Sequence, residues 1–197
     1  KRYILNVWDS EGVRYEEPKL KMMGIEAVKS STPAPCRTMI KDALKLMMRG
    51  TEDDVIEFIE NARKEFKSLP PEEIAFPRTA SNVQKYKSSS DIYVKGTPIH
   101  IRGALLFNYY LRKKKLTNKY SAIENGEKIK FLYLKKPNTI QENVLSFIQD
   151  FPTEFGLSQY IDYELQFEKS FVYPLKAILD AIGWEVEKKV TLESFFS

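Results

Sequence analysis

The sequence predicts an α+β protein: a small antiparallel sheet at the N-terminus, then a mainly helical body that carries one short hairpin. Three observations predict it. Tyr3, Leu5 and Val7 alternate with Ile4, Asn6 and Trp8, the period-two pattern of a strand covered on at least one face. Met39, Ile40, Ala43, Leu44 and Met47 instead recur every three and four residues, the spacing of one helix face. Residues 128–134 alternate again just after Asn125-Gly126, a tight-turn pair.

In chain order, Asp9-Ser10-Glu11-Gly12 reads as a hairpin turn, with Gly12 free to take positive φ. Residues 13–15 return as a second strand and residues 19–23 are expected to add a third. Ser30-Ser31-Thr32-Pro33 offers a hydroxyl cap followed by proline, a helix-start signal, and Gly50 stops that helix. Thr51-Glu52-Asp53-Asp54 is a capping box for the next helix, whose Val55, Ile59, Ala62 and Phe66 share a face before Pro70-Pro71. Residues 76–97, with Ser88-Ser89-Ser90, read as an irregular surface segment. A helix is expected over 99–112, with Ile101, Leu105 and Tyr109 on one face. Two more are expected, over about 140–151 and 160–182, the last disturbed at Pro174. The β piece is too short to bury a core by itself.

Composition narrows the chemistry. The chain has 197 residues, 43% hydrophobic and 29% charged, which is the balance of a soluble globular protein, and no stretch approaches the roughly 18 apolar residues of a membrane span. Cys36 is the one cysteine and His100 the one histidine. No intramolecular disulfide can form, and a His/Cys metal site or a Cys–His nucleophile pair is argued against. Residues 85–136 hold thirteen Lys or Arg against three acidic residues, a net +10 that leaves −6 for the rest of a chain of +4. Such asymmetry is the footprint of a polyanion-binding face, although a solvated lysine-rich surface has the same signature.

Lys1-Arg2-Tyr3, residues 23–33 (Met-Gly-Ile-Glu-Ala-Val-Lys-Ser-Ser-Thr-Pro) and His100-Ile101-Arg102-Gly103, in this order and at these distances, resemble the end of the palm and the whole thumb of B-family replicative DNA polymerases of the T-even-like bacteriophage type. Tyr160-Ile161-Asp162-Tyr163, Glu168-Lys169-Ser170-Phe171 and Pro174-Leu175 extend the resemblance over essentially the whole chain. By that resemblance residues 1–29 are the last palm strands, 30–185 the thumb and 186–197 a C-terminal tail. The chain is then expected to be a C-terminal portion of a longer polymerase, with the remaining palm, fingers and exonuclease in the same or a separate chain. The family's Mg²⁺-holding carboxylates, which drive two-metal phosphoryl transfer, lie on motifs that precede this segment. The resemblance therefore implies no catalytic residue, no metal ligand and no cofactor here, and Asp9 and Glu11 read as turn residues. Its implied partners are primer-template duplex DNA, the rest of the polymerase and a sliding clamp, not a membrane, and its implied location is the cytoplasm of an infected bacterial host.

Particular residues follow. By resemblance Lys1 and Tyr3 touch the minor groove, where the purine N3 and pyrimidine O2 of any correct pair accept hydrogen bonds, and Arg2 between them is a further DNA-binding residue. Lys29, Ser30 and Ser31 sit where a helix begins and read either as plain capping residues or as a phosphate site, and both can hold together. Arg102 beside Gly103 would let guanidinium and backbone approach a phosphate closely. His100 is placed to bond locally or to touch DNA, and Lys95 with Lys113, Lys114 and Lys115 forms either further contacts or a solvated face. In the tail, Leu192, Phe195 and Phe196 resemble a clamp-docking peptide, with Lys189 where cellular versions carry glutamine; the alternative is a tail folded back on the last helix. Two other readings stand beside the polymerase segment: a stand-alone nucleic-acid-binding protein indifferent to sequence, and an interaction module whose basic strip meets an acidic protein.

Overall fold

A computed structural model describes residues 3–188. The expected α+β class is what it shows: helices together with two small antiparallel sheets. The chain divides into two compact units, residues 1–68 with 167–197, and residues 69–166.

The first unit opens with a hairpin of β1 (Tyr3–Ser10) and β2 (Val13–Met23), paired from Tyr3↔Met23 to Ser10↔Val13. Its turn is narrower than the four residues expected. Glu11 and Gly12 alone form it, at φ 55° and 79°, the two consecutive left-handed residues of the turn whose twist suits adjoining strands. The expected third strand is instead the far end of β2. Proline has no N–H for a sheet ladder, and the register slips between Val7↔Lys19 and Asp9↔Arg14, so that Pro18 sits in the irregular stretch while the strand continues.

After a 3₁₀ turn at Glu26–Val28 come α1 (Ala34–Met47) and α2 (Glu52–Phe66), packed on each other. The start of α1 differs from expectation: the capping position is Pro33, which has no side-chain oxygen to offer, and Thr32 is buried. The capping box of α2 forms as expected, Thr51 Oγ1 accepting from Asp54 N–H while Asp54 Oδ2 accepts from Thr51 N–H at 2.7 Å. In the expected final helix, α5 (Tyr163–Phe167) carries the second unit to its end at Gln166, and the first resumes from Phe167 with a π-turn at Glu168–Val172 and α6 (Tyr173–Leu179); a short α3 (Pro71–Ile74) precedes them in sequence. The widened turn lies directly before Pro174, where the missing N–H would otherwise break an ordinary helix. Phe167 and Phe171, 5.0 Å apart, join Phe66 and the apolar faces of α1 and α2 in the core.

The second unit is a three-stranded antiparallel sheet in the order β3 (Phe76–Thr79), β4 (Lys128–Tyr133), β5 (Val144–Phe147), with α4 (Ile99–Lys113) packed against it. Two of its strands overturn expectations. β3 lies inside the segment read as irregular; its Pro77 is tolerated because β3 is an edge strand. β5 replaces the helix expected over 140–151. Ile140, Val144, Phe147 and Phe151 are spaced like a helix stripe, but all of Val144, Leu145, Ser146 and Phe147 are buried, and a strand covered on both faces shows a continuous run rather than alternation. α4 is also buried beyond the single face expected: Ala104, Leu106, Phe107 and Asn108 are covered, while Tyr109 is 38% exposed. Asn108 is satisfied there by the backbone of Ile123, donating from Nδ2 at 2.8 Å and accepting at Oδ1 at 2.7 Å.

Candidate nucleic-acid interface

Residues from four parts of the second unit converge around Arg102. Pairing of Phe76 with Phe131 across β3 and β4 stacks their rings 5.2 Å apart. The Arg78 guanidinium lies over both, 5.8 and 5.7 Å from the centroids, a cation–π arrangement, and donates through Nη1 to the Pro77 carbonyl at 2.8 Å. On α4, the His100 ring is 6.4 Å from Phe131. Burial first, and the nearby Arg78 charge second, push the His100 pKa below the usual 6.5, so the imidazole is neutral at pH 7. Burial raises the Tyr133 phenol while the charges of Arg78 and Arg102 pull it back.

Arg102 donates through Nη2 to Asn143 Oδ1 at 2.5 Å, and its guanidinium carbon is 5.7 Å from the Tyr93 ring. The Tyr93 hydroxyl in turn donates to Glu142 Oε1. The result is a half-buried patch of two arginines, a neutral imidazole and two phenols. Hydrogen-bond donors with net positive charge are what a phosphate backbone requires.

Other expected site residues fall variously. Gly103 is buried: a Cβ there would sit 2.4 Å from Ser146 Oγ and 2.7 Å from Ser146 N. The close approach its missing side chain permits is of α4 to β5, and Ser146 Oγ donates to the carbonyl of His100 at 2.8 Å. Lys95, Lys113, Lys114 and Lys115 are exposed, Lys113 lying 5.7 Å from both the Tyr109 and Tyr110 rings. In the first unit, Tyr3 is half-buried and lines an apolar groove of about 320 Å³ with Ile25, Met47, Ile178 and Ile182. Lys29 Nζ is 2.8 Å from Glu26 Oε1, so its charge already has a partner, while Ser30 is exposed and Ser31 half-buried. Lys1, Arg2, Leu192, Phe195 and Phe196 lie outside the described residues. Among the described residues no three His, Cys, Asp or Glu side chains gather as a metal-ligand group.

Sequence reasoning missed Arg78, Tyr93 and Tyr133. Arg78 was hidden in a strand that Pro77 disguised, and Tyr93 in a polar segment without periodicity. Tyr133 was read only as part of an alternating strand, although its alternation with Phe131 placed two aromatics on one face.

Comparison with known proteins decides the relationship. The DNA-directed DNA polymerase of Enterobacteria phage T4 is 32% identical over 200 residues, and that of Escherichia phage RB69 is 35% identical over 201 residues. Along its whole length this chain matches a portion of the T-even-like phage DNA polymerases. The resemblance carried by residues 1–3, 23–33 and 100–103 is thereby borne out. This polymerase-related segment spans 22% of the length of each relative. No family model matches it.

Proposed function

We propose that the chain is the end of the palm and the thumb of a DNA-directed DNA polymerase, and that it grips primer-template duplex while the metal-binding carboxylates and their Mg²⁺ belong to the remainder of the enzyme. The full-length match to two phage DNA polymerases carries this reading. Residues 1–29 are assigned to the palm, 30–185 to the thumb and 186–197 to a tail whose Leu192, Phe195 and Phe196 dock on a sliding clamp. The setting is DNA replication in the infected bacterial cell. Lys1 and Tyr3 reach minor-groove acceptors common to every correct base pair, and Arg2 between them is a further DNA-binding residue. Lys29, Ser30 and Ser31 meet phosphate, as do His100 and Arg102 with Arg78 and Tyr133 beside them, and Lys95 adds long-range attraction.

The test is fluorescence anisotropy of a labelled mixed-sequence duplex titrated with the chain at several salt concentrations. Each phosphate neutralised lowers log K by about 0.9 per decade of salt, so several contacts give a steep slope, equal for unrelated sequences. A flat slope, or strong preference for one sequence, overturns the reading.

A further inference from the structure

Arg102 has an unusual set of neighbours. A guanidinium carries five N–H donors; here one goes to Asn143 Oδ1, and the buried Nε has no partner. The adjacent carboxylate is Glu142, next to Asn143 in sequence. Arginine and carboxylate in such proximity ordinarily form a direct, often bidentate pair. Among the described residues Arg102 forms no ion pair. Glu142 Oε1 instead accepts from the Tyr93 hydroxyl, and the Arg102 guanidinium carbon lies 5.7 Å from the centroid of the Tyr93 ring. Tyr93 therefore touches both charged groups, its hydroxyl bonded to the carboxylate and its ring beside the guanidinium.

We propose that Tyr93 is a positioning residue for Arg102: by engaging Glu142 it keeps that carboxylate from neutralising the guanidinium, so that Arg102 stays available to a DNA phosphate. This rests on the reading that Arg102 contacts phosphate. Without the hydroxyl, a half-buried Glu142 oxygen would lose its donor. Leaving it unsatisfied is costly, and Arg102, already bonded to the next residue Asn143 and with an unpartnered Nε, offers N–H groups to replace it. Phosphate would then have to displace an intramolecular carboxylate held at the site. Tyr93 lies in the segment 87–98, so a stretch with no helix or strand becomes part of the interface through this one side chain.

The test uses the full 197-residue chain and a fluorescein-labelled mixed-sequence duplex, with affinity measured against salt. Arg102→Ala is expected to lower the salt slope by about 0.9, one phosphate contact. Tyr93→Phe keeps the ring but removes the hydroxyl; it is expected to weaken binding about 3- to 10-fold and to lower the slope by the same amount. In Tyr93→Phe/Glu142→Gln the carboxylate is gone and binding returns to within about twofold of wild type, whereas Glu142→Gln alone binds as tightly as wild type or tighter. Loss in Tyr93→Phe that persists with Glu142→Gln marks a merely structural tyrosine and overturns the proposal, as does wild-type binding by Tyr93→Phe when Arg102→Ala is impaired. An unchanged slope in Arg102→Ala overturns the phosphate reading itself, a result separate from either of those.

Discussion

Gly103→Ala is the sharpest probe of how the second unit is assembled. In a solvent-facing helix this change stabilises by about 0.5–1 kcal/mol, because glycine loses the most backbone freedom on folding. Here the added methyl would lie 2.4 Å from Ser146 Oγ, 2.7 Å from Ser146 N and 3.0 Å from the Leu145 carbonyl carbon. Rotating the serine relieves the first clash only by giving up its 2.8 Å bond to the His100 carbonyl, a loss of about 0.5–1.5 kcal/mol. The other two clashes are with the backbone of a fully buried strand, which cannot yield without shifting the sheet. Overpacking of this kind costs about 1–3 kcal/mol, so steric cost outweighs helix propensity and the net loss is about 1–3 kcal/mol. For a chain of this length each kcal/mol moves Tm by about 2–4 °C. Thermal unfolding followed by circular dichroism is therefore expected to show Tm lowered by about 2–12 °C. Gly103→Ala/Ser146→Ala should recover only the part due to Oγ. A variant melting at or above wild type would refute the close packing of α4 on β5.

Two further outcomes follow from the buried titratable groups. His100 is the single histidine, so its imidazole resonances are unambiguous in a two-dimensional NMR titration. The midpoint should lie below 6.5 and move upward, though not fully, in Arg78→Gln, since burial is the larger cause. The sign for stability follows: the unfolded chain takes up this proton first, so stability falls as pH drops below about 6.5 and levels off once folded His100 protonates. A midpoint at or above 6.5 contradicts the placement. Cys36 is wholly buried and donates to Ser170 Oγ at 3.2 Å. Burial pushes its thiol up to about 11. Ellman's reagent at pH 8 should modify one thiol per chain in denaturant and proceed in native buffer only as fast as the protein opens; rapid native modification would show that α1 and the π-turn do not enclose it.

How far the elements were legible depended on whether their signal was local. The capping box at Thr51 and the apolar stripe of α2 need only contacts three or four residues apart, and both were readable. The same holds for the Glu11-Gly12 turn and the alternation of β4. β5 was not, because Ile140, Val144, Phe147 and Phe151 fit a helix as well as a strand whose two faces are both covered. Ser30-Ser31-Thr32 looked like a cap, yet Pro33 occupies the position; capping depends on backbone φ and ψ, which composition does not reveal. At the proposed interface, His100 and Arg102 were visible through a motif, whereas Arg78, Tyr93 and Tyr133 reach them only by pairing of β3 with β4 and by the course of a loop.

By itself the sequence determined the class of the fold, a charge distribution concentrated between residues 85 and 136, and kinship with phage DNA polymerases, because periodicity, charge and motif order are properties of the chain as written. Tertiary structure alone decided that Gly103 serves a helix–strand contact and that Tyr93 engages Glu142 while Arg102 bonds to the neighbouring Asn143. Those facts depend on distances between residues some forty positions apart, and such distances exist only once burial of the apolar faces has brought the segments together.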